Sequence, residues 1–297
     1  MVLLRDNFAG ILAPGVFEVV KATYDRWEEQ YKKCVNLTTS KKRKETTLTI
    51  ANSDAVAQKN EGAPTQYTDY QQGYTKDHTH ITYSGGMRVT RELYDDDLYG
   101  VIKDLADTLG VSMRQAMEVA AANIYNRGFS GSYTGPDTVA LFSLSHPLKN
   151  GSTDQNMLTT AADLSDTSLR NSITQMRKTV DDASLKVMVI PKTLLVPVDL
   201  AWDASVILES QLKSGTANND KNVLKDLDLG YTVNNFLTDT DAWFILGRMH
   251  KIYMWMRMNP KPAADDDFDT GDAKFKLTAR WVTGWSDWRG TFGTAGA

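Results

Sequence analysis

The sequence predicts an α+β protein, and three observations carry that expectation. From Arg88 to Arg127 apolar side chains recur at helical spacing over a run well above the usual helix length. Near the end of the chain, Lys251–Met258 and Lys274–Thr283 alternate apolar and polar residues with the period of two that a half-buried strand requires. Between Val56 and Ile81 there is no Leu, Ile, Val, Met or Phe at all, so a long excursion must exist without a core of its own.

The 297 residues, 41% hydrophobic and 24% charged, are ample for a sizeable core and speak against wholesale disorder. A formal charge of -4 argues against a protein whose main task is coating nucleic acid, because that work needs net positive charge to displace counterions. The single cysteine, Cys34, excludes an internal disulfide and a multi-cysteine zinc site, and it suits a reducing cytoplasm. Arg5 and Asp6 follow two leucines at the start, so no signal-peptide apolar region is expected. The most apolar stretch, Lys186–Trp202, is cut by Pro191, Lys192, Pro197 and Asp199, and is too interrupted to span a bilayer.

Taken in order, Pro14–Lys33 places Phe17, Val20, Tyr24, Trp27 and Tyr31 on one helical face, with Pro14 suited to the first turn. Such a helix docks either on its own core or, given its terminal place and aromatic content, on a neighbouring subunit. The excursion, Lys41–Gly86, opens with Lys41-Lys42-Arg43-Lys44, continues through a strand at Thr46–Asn52, and returns by a strand at His78–Tyr83. Its only large side chains between the two strands are Tyr67, Tyr70 and Tyr74. In the long helix, Gly110 followed by Ser112 and Gln115 reads as a stop and a fresh cap, so a break is expected there. Ser130–Gly247 reads as a mixed α/β unit. Its strands are expected at Thr138–Leu144, on both sides of a turn within Lys186–Pro197, and at Ala242–Leu246; its helices at Ser165–Asp182 and Asp199–Leu212. The closing strands are joined through the acidic loop Ala263–Asp272.

The search for chemistry assigns no catalytic, cofactor-binding or metal residue. No phosphate loop, dinucleotide fingerprint or nucleophile elbow is present, and Ser210-x-x-Lys213 lacks the companion motifs of a serine acyltransferase. His78 and His80 share a strand face near Asp69 and Asp77, but only His146 and His250 remain to complete a four-ligand set; the plainer reading is two exposed polar residues. Asp265-x-Asp267-x-Asp269 begins like a calcium loop, yet Thr270 and Lys276 stand where Gly and the bidentate Glu belong. The basic run at 41–44 reads as a solvated face, and Cys34 as a buried or idle thiol.

The order of these segments resembles the major capsid proteins of tailed bacteriophages, the Hong Kong 97-type fold. Particular strings strengthen the likeness: Asp137-Thr-Val-Ala-Leu-Phe-Ser-Leu-Ser-His-Pro-Leu148, Thr160-Ala-Ala-Asp-Leu164, Thr193-Leu-Leu-Val-Pro197, Asp241-Ala-Trp-Phe-Ile-Leu246 and Ala279-Arg-Trp-Val-Thr-Gly-Trp-Ser-Asp-Trp-Arg-Gly290. The resemblance implies an N-terminal arm (1–40), an extended β-hairpin loop (41–86), a peripheral domain with a long spine helix (87–129 and 251–284), and an α/β axial domain (130–250 and 285–297). It implies a structural protein with no enzyme activity that self-assembles into hexamers and pentamers of an icosahedral shell in the virion. Assembly is then expected in the host cytoplasm, without a membrane. Many relatives carry a cleaved scaffolding segment of about a hundred residues; here Met1 leads almost directly into the arm, so scaffolding is expected as a separate protein or not at all. Portal and decoration proteins are further partners of such shells, and packaged double-stranded DNA is contacted only non-specifically. The expected inter-subunit contacts are Phe17, Tyr24, Trp27 and Tyr31 of the arm and Tyr67, Tyr70 and Tyr74 of the loop. A tail or fibre module, and then a hydrolase without a recognisable motif, are the alternative readings.

Overall fold

Phe275, Leu277, Ala279 and Trp281 all point to one side of a strand and all are buried, so the period-two pattern builds the centre of the molecule. The computed structural model describes residues 8–51, 56, 58–62, 64, 65, 67, 71–96, 100–213, 220–267 and 269–297. Its helices are α1 (Phe8–Arg26), α2 (Tyr31–Cys34), α3 (Arg91–Asp95), α4 (Val101–Asn126), α5 (Asp166–Lys178) and α6 (Ala201–Glu209), with a 3-10 turn at Val223–Asp226. The strands are β1 (Asn36–Thr39), β2 (Lys44–Ala51), β3 (Gln71–Thr79), β4 (Ile81–Val89), β5 (His146–Pro147), β6 (Thr153–Asp154), β7 (Pro191–Val196), β8 (Gly230–Val233), β9 (Trp243–Gly247), β10 (Lys251–Asp266), β11 (Ala273–Asp287) and β12 (Thr291–Thr294).

The first sheet has the order β1-β10-β11-β4, with β1 parallel to β10 and the remaining pairs antiparallel. Strand β10 runs well past Met258, through Pro260 and Pro262, because register shifts around Met258 accommodate residues that cannot donate to the ladder. The acidic loop therefore shrinks to a turn, closed by the Asp267 N–H donating to Asp272 O at 2.9 Å and by Gly271 at φ +69°.

Helix α4 lays Met113, Met117, Ala121, Ile124 and Tyr125 on this sheet, and α1 packs across α4. Gly110 is not a stop. It lies inside α4, where a Cβ would meet the carbonyl oxygen of Val20 at 2.7 Å, so its missing side chain is what lets α1 approach. Instead α3 ends at Asp95 and α4 starts at Val101, after Gly100 with φ +74°. The arm also differs from expectation. Pro14 lies inside α1 rather than in its first turn, and the helix ends at Arg26, with the chain turning before α2.

The second sheet has the order β12-β9-β7-β8. Leu194, Val196, Trp243 and Ile245 face a core shared with α5 and α6, while Leu195, Phe244 and Leu246 face the core under the first sheet. Burial on both faces explains why these strands are continuously apolar. Strand β12 brings the chain end back to this sheet by pairing with β9. Thr138–Leu144 is not a strand. Thr138 has φ +64°, and the Asn156 side chain takes the place of a ladder partner by donating to Leu141 O (2.8 Å) and accepting from Ser143 N–H (2.9 Å). Within Lys186–Pro197 only β7 is a strand, and α5 and α6 stop short of Asp182 and Leu212.

Strands β3 and β4 follow one another with only His80 between them. Before His80 the chain pairs with β2; after it, with β11. One extended run thereby carries the hairpin β2–β3 out of the main sheet, and β4 extends through Gly85-Gly86, where a helix entry was expected. No helix among the described residues is long and apolar enough to cross a membrane.

Candidate assembly interface

The junction between arm and spine is built from charges on adjacent turns of α4. Arg114 is buried, and its guanidinium donates to Tyr24 O (3.2 and 2.8 Å) and to Glu29 (2.9 Å), satisfying a carbonyl orphaned near the end of α1. One turn on, the buried Glu118 carboxylate accepts from the N–H groups of Gln30 (3.1 Å) and Tyr31 (2.7 Å), where α2 begins. Each charge meets the helix end of opposite polarity. Burial pushes the Glu118 carboxyl up to about 7 despite those donors and Arg114.

The arm aromatics divide on this frame. Tyr31, only 2% exposed, is spent on the chain's own core, which leaves a neighbour no ring surface to cover. Phe17 meets Phe275 edge-on at 6.4 Å, and the Tyr24 hydroxyl reaches the Met117 sulfur at 3.2 Å beneath Arg114, so both are half-buried within the chain. Trp27 keeps 39% of its surface exposed. Phe17 and Tyr24 also line an open groove of about 480 Å³ with Leu37, Met256 and Pro260.

In the hairpin, Tyr67 is 94% exposed, whereas Tyr74 lies under the Lys149 ammonium, 3.9 Å from the ring centroid. Tyr70 lies outside the described residues, as does Asp69. Lys76 donates to Thr134 O and sits over the Trp285 ring at 5.6 Å. The hairpin therefore leans on its own body along β3. The basic run is exposed, with Lys44 paired to Asp77 at 2.5 Å.

His78 and His80 are buried, not exposed, which corrects the plainer reading of that pair. His78 lies against Trp255 at 4.8 Å, where burial first and Lys76 second hold its pKa down to about 4. His80 contacts Ser40 Oγ at 3.1 Å. Among the described residues no three His, Cys, Asp or Glu side chains converge on a common point. Cys34 is buried beside Asn234, and its thiol is pushed up to about 11 by burial, so a thiolate nucleophile is disfavoured. The nearest approach to a catalytic constellation is His146, which faces Asp137 at 2.6 Å and Asn156 Oδ1 at 3.0 Å and stacks on Trp288 at 4.2 Å. Both ring nitrogens are committed to oxygen partners and the ring is fully buried, which makes it a brace for the loop before β5.

Sequence reasoning did not single out two exposed apolar patches at opposite ends of β7. One is Trp202 with Val198 and Val206; the other is Met188 with Ile190 and Met249. The four-residue spacing of Trp202 and Val206 was the available signal, since it puts both on one face of a helix.

The phage capsid protein family matches residues 73–293, well over half of the chain. No curated protein sequence matches it. Among solved structures, the chain is similar to the capsid of an empty GTA particle (11% identity, TM-score 0.56, covering 92% of this chain and 91% of that one). It is also similar to the procapsid protein of bacteriophage JBD30 (12%, TM-score 0.53, 98% and 76%). A third likeness is to the virus-like particle from Pyrococcus furiosus (10%, TM-score 0.52, 94% and 97%). The α+β architecture is thus the Hong Kong 97-type capsid fold, and by its sequence match the chain belongs to the phage capsid protein family.

Proposed function

We propose that copies of this chain assemble into the closed icosahedral shell of a phage head, as pentamers and hexamers, and that its role is structural rather than enzymatic. The observation that carries this reading is the polar hairpin β2–β3. It leaves the main sheet on a continuous strand, rests on its own body through Lys76 and Tyr74, and keeps Leu48 half-exposed and Tyr67 exposed. A two-stranded ribbon of this kind is marginal alone and gains from a surface to lie on. Trp27 and the groove beside Phe17 and Tyr24 are the matching features of the arm. Any scaffolding, portal or decoration protein would be a separate partner, assembly would take place in the host cytoplasm, and enclosed DNA would be contacted without sequence preference.

Negative-stain microscopy and size-exclusion chromatography of the purified chain test this. Rings or closed shells are expected; a chain that stays monomeric under every assembly condition overturns the reading. Limited proteolysis sharpens it. Lys59 is exposed and should be cut quickly in free subunits and slowly in shells, whereas Lys76, held on Thr134 and Trp285, should resist in both.

A further inference from the structure

The two apolar patches at the ends of β7 differ in the charge that surrounds them. Trp202 is 83% exposed, and Asp199 and Asp203, close to it in the chain, are exposed as well. The other side of α6 is occupied, since Ala204 and Leu208 are buried in the second core. Lys213 and Lys221 are already paired, with Asp166 at 3.1 Å and Asp226 at 2.5 Å, so they do not neutralise this acidic rim.

At the far end, Met188 and Met249 are 90% and 85% exposed beside a groove of about 530 Å³ that Ile190 and Arg248 also line. Arg177, Lys178 and Lys186 are exposed nearby, with Lys186 Nζ donating to Lys178 O at 2.8 Å. The groove's own carboxylates are buried and engaged within the chain. Asp182 and Asp287 take Arg289 (3.2 and 3.4 Å), Asp287 also takes Lys251 (3.1 Å), and Asp181 accepts backbone N–H groups. What that end presents outward is methionine with a mainly basic rim, where the exposed Asp228 carboxylate is taken by Lys192 at 2.6 Å with Arg248 close by.

We propose that the Trp202 face of one copy seats in the Met188–Met249 groove of the next, head to tail. The proposal rests on the self-assembly reading above and adds to it which faces meet. The two faces sit at opposite ends of a strand about 20 Å long, so one molecule cannot join its own two faces and a second copy must supply the mate. A heterologous contact of this kind closes into rings when the rotation per copy allows. Trp is the side chain best suited to carry such a contact, and thioether sulfur packs favourably on aromatic rings. Acidic rim against basic rim then fixes the orientation and disfavours like-to-like pairing.

The unmodified chain provides the first test. Dilute peroxide should convert Met188 and Met249 to sulfoxides rapidly in free subunits, and on the order of tenfold more slowly in shells, as read by peptide mass spectrometry. Charge reversal provides the second. Asp199→Lys with Asp203→Lys, or Lys186→Glu with Arg248→Glu, should each raise the concentration needed for assembly by roughly tenfold or more, and all four together should restore assembly towards wild type. These side chains are exposed, so circular dichroism of the unassembled variants should match wild type. Shells whose Met188 and Met249 oxidise as fast as in free subunits overturn this inference alone, as do reversed pairs that assemble normally or a fourfold variant that is not rescued. A wild-type chain that never assembles overturns it together with the reading it rests on.

Discussion

The molecule contains two long β-hairpins, each an antiparallel backbone ladder interrupted by register shifts, and they could hardly differ more in what holds them. In β10–β11, Ile252, Met254 and Met256 face the core from one strand, and Phe275, Leu277, Ala279 and Trp281 from the other. In β2–β3 the facing pairs are Lys44 with Thr79, Thr46 with Asp77, Thr47 with Lys76 and Leu48 with Thr75, almost all polar. Hydrogen bonding therefore does not separate them. Burial does, because exchanging water for a backbone partner is nearly neutral while removing apolar surface from water is not. The first hairpin is core. The second is a ribbon fastened along β3 by His78 on Trp255, Lys76 on Thr134 and Tyr74 under Lys149.

The largest effect should come from breaking the buried hairpin. Trp281 is fully buried and stacks on Tyr83 at 3.9 Å, so Trp281→Ala should cost about 3–5 kcal/mol in a denaturant titration. Next comes the joint between the two hairpins. A Cβ at Gly284 would lie 2.5 Å from the His78 ring, so Gly284→Ala must displace that ring from Trp255. A loss of about 1–3 kcal/mol is expected, and the double variant with His78→Ala should lose less than the sum of the two single changes.

Acid and base separate the same regions. His78 holds its proton less tightly when folded, about 4 against 6.5, so its contribution is complete above about 6.5 and is lost as pH falls towards 4. Glu118 runs the opposite way: its carboxyl rises from 4.5 to about 7 on folding, so the arm junction is most stable when acid and weakens as pH climbs from about 4.5 to 7. His78→Phe should flatten the acid limb of a stability–pH profile, and Glu118→Gln the limb below neutrality. A profile unchanged by either substitution would show that these groups are not held as the geometry places them.

Much of this contrast was legible in the residues. Alternation between Lys274 and Thr283 gave the buried face of β11, and the lack of aliphatic residues after Val56 marked the ribbon as coreless. Periodicity reports which face is apolar, but not what covers it. That is why Tyr31 and Trp27, on one predicted stripe, end buried and exposed respectively once the helix stops at Arg26. Gly110 was misread because a helix-crossing glycine and a helix-stopping glycine look alike until the partner helix is in place. The burial of His78 depends on Gly284, more than two hundred residues away, which no local pattern encodes.

The smallest expected effect is the most discriminating for the ribbon. Leu48 lies opposite Thr75 in it, and it stands half-exposed at the rim of the groove that holds Met188 and Met249. In the free subunit Leu48→Ser removes little buried surface, so the unfolding midpoint should move by no more than about 0.5 kcal/mol. If the ribbon lies on a neighbour, the same change removes an apolar contact at every copy of that interface, and assembly should require more protein although the subunit is as stable as before. A stability loss well beyond that figure in the free subunit would mean that Leu48 already packs on its own body, and the ribbon would then be a second, weaker core hairpin rather than a surface held in reserve for another chain.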